Sequence, residues 1–337
     1  MNALDCPEEY DPKYDLRINI LKGKKARQRL MKGKEASKWL DAETVMLLQH
    51  FKQNKLYGQP TKLPIGADVI DPVWTYYIKP DGRYKARQTG DGSRILHKSK
   101  KKLLLYSNTL NHTSFRILTS AAVNKGYNQY SADVTNAYAH APPPSTKTYL
   151  QPDEAIRYFY QKEYGIEIKD DKVLPIVRML QGHPEASAVW DQFIIEILSK
   201  IRFVSATHEL SISRAIIDGK EVLLARQVDD FRFAAETKEP VVKVLKLLND
   251  NGVKIDFIAE PRFNGLDIDE RREYVRLHAT TFINKSKEKL NFSAHLKHPR
   301  IMKVPIADDD IKHMEQTYEP ITDEEIKALE SEFRFKY

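Results

Sequence analysis

Apolar positions recur at helical spacing in SKWLDAETVMLLQHFKQNKL (37–56), through Trp39, Leu40, Val45, Leu47, Leu48, Phe51 and Leu56. This predicts a helix capped by Ser37 and ended by YGQP. In VIDPVWTYYIKPDGRYKAR (69–87) two short β-rich runs flank Pro80-Asp81-Gly82, a hairpin signal. Helical spacing returns over 113–126 and stops at Gly126, and YNQYSADV then reads as a strand entering the loop Pro142-Pro143-Pro144. The strongest helical pattern is SAVWDQFIIEILSKI (187–201). After it come two strands, LSISRAII and EVLLARQV, around Asp218-Gly219-Lys220. A helix over 240–252, a hairpin-like alternation over 262–278 and a helix beginning at 280 complete the pattern. Residues 1–36 show no period and read as a basic, partly disordered leader. No internal repeat or low-complexity tract is present. Strands and helices alternate without a βαβ rhythm, which predicts an α+β fold with a mostly antiparallel sheet.

Charge changes this picture in places. The 337-residue chain carries a net +7, with a pI near 9.1, and the excess is uneven. Residues 16–38 hold Arg17, Lys22, Lys24, Lys25, Arg27, Arg29, Lys32, Lys34 and Lys38 against Glu35 alone, and 94–105 form a second basic cluster. Such blocks are either solvated faces or phosphate-binding surfaces. With 41% hydrophobic residues the chain can bury a sizeable core. A single cysteine, Cys6, excludes a disulfide framework and a cysteine zinc site, which fits a reducing intracellular compartment. No apolar run reaches the roughly 18 residues of a membrane span, and the first residues lack the apolar core of a signal peptide. The expectation is a soluble intracellular protein, with cytoplasmic particle and nucleus both open.

The candidate chemistry lies in carboxylates. Asp229 and Asp230 sit side by side between two strand-like runs in LLARQVDDFRFAAE, where like charges repel unless solvent or a cation takes them up. Asp133 ends the strand-like run Gln129–Val134. If both strands share a sheet, three carboxylates could meet at one end of it and hold Mg²⁺ through oxygen ligands. A solvated turn remains the other reading of the Asp229-Asp230 pair. The histidines, His183 among them, show no metal-ligand spacing, and Trp39, Trp74 and Trp190 read as core.

Several blocks, in order over about 37–335, resemble those of copia-type retrotransposon reverse transcriptases. ADVTNAYAHAPPPSTKTYLQPDE is similar to their DVKTAFLNG block and the YMxQP that follows it. RMLQGHPEASAVWDQF is similar to ALYGLKQAPRAWY, with Gly182 and Trp190 at the family spacing. LLARQVDDFRFA is similar to LLLYVDDxLIA, RFNGLDID to FLGIEI, and VWTYYIKPDGRYKARQTGDG to the fingers block that ends in YKARLVAKG. The resemblance implies a right-hand polymerase with fingers, an antiparallel-sheet palm and a helical thumb. It implies that 37–126 are mainly fingers, and that 127–278 are mainly palm with part of the fingers over about 145–190. The thumb would begin within 279–337, and no RNase H domain is expected.

It further implies a triad of Asp133, Asp229 and Asp230, these and the carbonyl of Val134 holding two Mg²⁺ ions, with Mn²⁺ as an alternative. Tyr138 falls at the steric gate against a ribose 2′-OH, with a packed strand-end aromatic as its other reading. Lys85, Arg87, Gln181 and Gly182 fall in the nucleotide-binding blocks, and Gly265 at the primer grip, although surface and turn roles stay open for Lys85, Arg87 and Gly265. Implied partners are an RNA template, a DNA primer, their duplex and dNTPs, with no membrane and no indication of oligomeric state. The chain departs from the family pattern at Gln227, which replaces an aromatic, and at Pro184, which replaces a lysine. QTGDG, including Asp91, stands for LVAKG, and Arg232 for an apolar residue. The expected activity is RNA-directed DNA polymerisation. The alternative is a catalytically silent nucleic-acid-binding remnant, and a metal-dependent nuclease has less support.

Overall fold

The computed structural model describes residues 20–79, 82–98, 103–259, 262–270 and 274–289. The chain divides into two units, Met1–Phe282 and Ile283–Tyr337, and the second is described only over 283–289. The expected turn residues Pro80 and Asp81, residues 1–19 with Cys6, and the acidic C-terminal stretch lie outside the described residues.

From residue 20 onward the basic N-terminal segment is built into the fold. Leu21–Lys22 (β1) and Lys24–Leu30 (α1) precede Ala36–Leu48 (α2), which continues as a π-helical turn over Gln49–Gln53. The helix begins with Glu35 at the cap position, so Ser37, expected as the cap, lies within the first turn. Thr61–Lys62 (β2), Asp68–Ile78 (β3), Tyr84–Asp91 (β4) and Ser93–Lys98 (α3) follow. Next are His112–Asn124 (α4), Asn128–Val134 (β5), Ala137–His140 (α5), Thr148–Leu150 (β6), Glu154–Tyr164 (α6) and Lys172–Pro175 (β7). Then come Ala186–Lys200 (α7), Val204–Ser205 (β8), Ile212–Ile217 (β9), Lys220–Gln227 (β10), Asp230–Ala235 (β11) and Glu239–Asp250 (α8). Ile255–Ile258 (β12), Arg262–Phe263 (β13), Leu266–Glu270 (β14), Val275–His278 (β15) and Thr280–Lys289 (α9) complete the described order.

The first sheet runs β1-β3-β6-β7-β2, with β4 also paired to β3. Its β3–β6 pairing is parallel, and the remaining pairings of the described strands are antiparallel. Trp39, Leu47, Ile70, Trp74, Tyr76, Ala86 and Phe159 form the core between this sheet and helices α2 and α6. Arg27 ties α1 to that core, donating to Glu43 from Nε at 2.8 Å and from Nη2 at 3.1 Å, while the Tyr76 hydroxyl donates to the same carboxylate.

The second sheet is antiparallel, in the order β12-β5-β11-β10-β9-β8. Alternation decides its faces. Ala132, Val134, Phe231, Phe233, Val222, Leu224 and Ile255 pack into one core with α7 and α8. On the opposite face Ala225 meets Leu110, Phe115 and Leu118, together with Phe263 and Ile268 of the third sheet, β13-β14-β15. The observed architecture is therefore α+β with mostly antiparallel pairing. No described helix is long and apolar enough to cross a membrane.

Candidate active site

The hairpin of β10 and β11 pairs Gln227 with Asp230, leaving Val228 and Asp229 as a two-residue loop. In the same register Asp230 lies opposite Asp133, and Asp133 lies opposite Asp256 on its other side. Residues directly opposed across antiparallel strands project to the same face. Asp133, Asp230 and Asp256 thus form a row across three strands, on the face turned away from the α7–α8 core. Asp229 stands one residue outside that row, its backbone carbonyl accepting from the Val134 N–H at 2.8 Å. Sequence reasoning paired Asp133 with Asp229 and Asp230 but missed Asp256. The available signal was the alternation Lys254-Ile255-Asp256-Phe257, and only strand order reveals its neighbour.

Around this row the expected site residues occupy distinct places. Val134 has a buried side chain, 1% exposed, in the α7–α8 core. Tyr138 sits on α5, just beyond β5, with its hydroxyl 3.4 Å from Ser187 Oγ in the first turn of α7. Gln181 accepts through its carbonyl from Gly90 N–H at 2.8 Å, so the segment before α7 lies against the end of β4. Gly182 has φ 94°, and a β-carbon there would fall 2.1 Å from the Gly90 carbonyl oxygen. A β-carbon on Gly92 would fall 2.5 Å from Pro184 Cδ. The unusual QTGDG and QGHP segments are therefore fitted to each other. His183 is buried beside Thr148, and its Nδ1 accepts from the Glu185 N–H at 3.2 Å, in keeping with a structural role.

Lys85 and Arg87 lie on the face of β4 opposite its core residues Ala86 and Gln88. Burial lowers the Lys85 pKa, and the nearby charges of Arg87 and Arg83 lower it further. Arg87 is opposite Thr75, and Thr75 is opposite Lys22 of β1. Lys22 consequently shares this cationic face, two strand spacings or about 10 Å from Arg87. Lys22 was counted with the basic block 16–38, and its place beside Arg87 follows only from the pairing of β1 with β3.

The departures near the aspartates are absorbed into the packing. Gln227 accepts the Leu110 N–H at 2.9 Å through its side chain, and Asn264, beside Gly265 in the β13–β14 turn, donates to the Leu110 carbonyl at 3.1 Å. Loop 103–111 thereby links the aspartate hairpin to the Gly265 hairpin. Glu185, fully buried, holds the same loop by accepting from Leu104 N–H at 3.1 Å, and accepts from the Ser145 hydroxyl at 2.7 Å. Burial pushes its carboxyl up, but these donors outweigh that and hold it below the usual range. Arg232 is buried on the aspartate face among Gln129, Ser131 and Glu270, and burial lowers its pKa to about 10. Arg226, on the other face, pairs with buried Asp191 at 2.6 Å.

Among the described residues no group of three or more His, Cys, Asp or Glu is arranged to hold a metal ion. What the site offers is a row of carboxylate oxygens beside a tight turn, with a separate cationic sheet face on β1, β3 and β4. No curated protein matches the chain. A family model described as reverse transcriptase (RNA-dependent DNA polymerase) matches residues 54–303, which is most of the sequence. With Asp133 and the Asp229-Asp230 hairpin both inside the matched span, the chain belongs to the copia-type reverse transcriptase family.

Proposed function

We propose that this chain is an RNA-directed DNA polymerase of a copia-type retrotransposon, joining dNTPs to a primer 3′-OH on an RNA template. The observation that carries the reading is the register of β5 against β11, which sets Asp133 opposite Asp230 with Asp229 in the adjoining turn. In this reading the second sheet is the palm, and the first sheet with its helices is the fingers. The third sheet carries the primer grip at Gly265, and the thumb begins near residue 279.

Asp133 and Asp229, with Asp230 and the Val134 carbonyl, would hold Mg²⁺ or Mn²⁺. These all-oxygen donors suit a cation that keeps some waters and takes its remaining ligands from substrate phosphates. Bound there, two ions supply charge neutralisation for the attacking hydroxyl and the leaving oxygen. The chain's own part is positioning and electrostatics. Lys85 and Arg87 would neutralise triphosphate charge, Arg87 by paired donors. Tyr138 would crowd a ribose 2′-OH, and Gln181 and Gly182 would border the sugar. Template and primer would be gripped through phosphates, so binding falls with salt.

The test is primer extension with an RNA template, a DNA primer, dNTPs and Mg²⁺. Wild type extends, and Asp229→Asn extends at least about a hundredfold more slowly while duplex affinity stays within about threefold. Equal extension by Asp229→Asn removes the metal-site assignment. A second reading, a silent nucleic-acid-binding remnant, is favoured by Gln227, whose side chain is committed to Leu110 where the family has an aromatic. Salt-dependent duplex binding without extension by wild type would select it.

A further inference from the structure

The loop that carries Asp229 is strained in a specific way. Val228 has φ 55°, and among the described residues it is the only β-branched side chain at positive φ. Positive φ at the first loop residue and not at the second is the II′ arrangement, whose usual first residue is glycine. A branched side chain tolerates this backbone poorly. Such a conformation persists only where its surroundings over-determine it.

Two hydrogen bonds do so here. The Val134 N–H donates to the Asp229 carbonyl at 2.8 Å, and the Trp190 indole Nε1–H donates to the Val228 carbonyl at 2.9 Å. Trp190 is 1% exposed, so its single donor has no access to bulk water. The carbonyl it holds belongs to the peptide plane between Val228 and Asp229. Rotating that plane by half a turn converts a II′ turn into a I′ turn and moves Asp229 to positive φ. The Asp229 side chain would then leave Cα in a different direction. Valine fits the first position of a I′ turn better than that of a II′ turn, and aspartate accepts positive φ. The sequence by itself therefore leans toward the flipped form.

We propose that Trp190 is a positioning residue: its indole N–H holds the Val228–Asp229 peptide plane in the orientation that aims the Asp229 carboxylate at the row formed by Asp133 and Asp230. The inference rests on the polymerase reading of this site. It assigns to a tryptophan outwardly typical of a core the task of keeping a catalytic turn in its less favoured form.

The test compares wild type, Trp190→Phe, Val228→Gly and the double variant, together with 3-benzothienylalanine at position 190. That analogue keeps the shape of indole but replaces N–H by sulfur, so it separates the hydrogen bond from packing should Trp190→Phe fail to fold. Loss of the N–H is expected to lower kcat for extension by about tenfold or more, to leave duplex affinity unchanged, and to weaken Mn²⁺ binding measured by electron paramagnetic resonance. Glycine at 228 favours the II′ turn on its own, so Val228→Gly restores most of the loss in the double variant. A packing role predicts the opposite, because the second change removes more side chain. Equal Mn²⁺ affinity and kcat in the analogue and wild type, or a double variant no better than Trp190→Phe, overturns the proposal. Mn²⁺ binding that weakens on loss of the N–H, in a wild type that does not extend primers, removes the polymerase reading and leaves the positioning role standing. A wild type that binds no Mn²⁺ removes both.

Discussion

Gly182 has no room for a side chain. With φ at 94° and the Gly90 carbonyl where a β-carbon would go, Gly182→Ala meets a backbone penalty and a clash against backbone. The expected cost is about 3 kcal/mol, visible as a lower midpoint in urea, and an unchanged midpoint would show that β4 can retreat. His50 shows a different single-residue effect. Buried in the π-helical turn beside Tyr57, its ring has a pKa pushed down to about 4 by burial. The unfolded ring binds its proton near 6.5, so stability from the neutral ring is complete above that value. It is lost as pH falls from 6.5 to about 4, where the folded ring protonates too, a change of about 3 kcal/mol. Replacing His50 by Gln should flatten the stability profile in that window, and a slope identical to wild type would assign the acid sensitivity elsewhere.

At the scale of elements, β1 has the clearest consequence. Its pairing with β3 aligns Lys22 with Thr75 and Arg87, so Lys22→Ala should reduce the slope of log affinity for duplex against log salt by about 0.9. Extension at saturating duplex should hardly change, and an unaltered slope would place Lys22 away from nucleic acid. Neither β1 nor α1 was legible in the sequence, because a two-residue strand and a basic seven-residue helix carry no apolar period, and β1 pairs with β3, more than fifty residues along the chain. α6 was legible and overlooked: Asp153 caps its first turn by accepting the Ile156 N–H at 3.0 Å, and Gly165 ends it at φ 67°. Long helices such as α7 and α8 emerged within one or two residues of their expected bounds, since each buries a continuous apolar stripe. For the site, the Asp229-Asp230 hairpin could be read locally. The alignment of Asp133 with Asp256, the positive φ of Val228 and the mutual fit of Gly90 and Gly182 could not, because each is fixed by strand order or by contact between distant segments.

Across the whole molecule, the cations and the aspartates of the proposed site divide between two sheets. The first gathers cations on the face away from its core, and the second carries the aspartates. Charge on the first should govern affinity and its salt dependence, while change at the second should govern turnover. Arg87→Ala is therefore expected to raise the KM for dNTP about tenfold, with little effect on thermal midpoint. An effect confined to stability would assign Arg87 to the surface. The helix α2 adds a consequence of another kind. Trp39, Met46 and Leu47 complete the core against Trp74, Tyr76 and Ala86, yet they precede residue 54, where the family match begins. The boundary of detectable kinship is thus not a boundary of folding. A polypeptide cut to 54–303 would keep α6 but bare the apolar surface that α2 covers on the first sheet, and should self-associate, whereas one beginning at residue 20 should stay dispersed. Recognisable ancestry and physical self-sufficiency begin at different points along this chain.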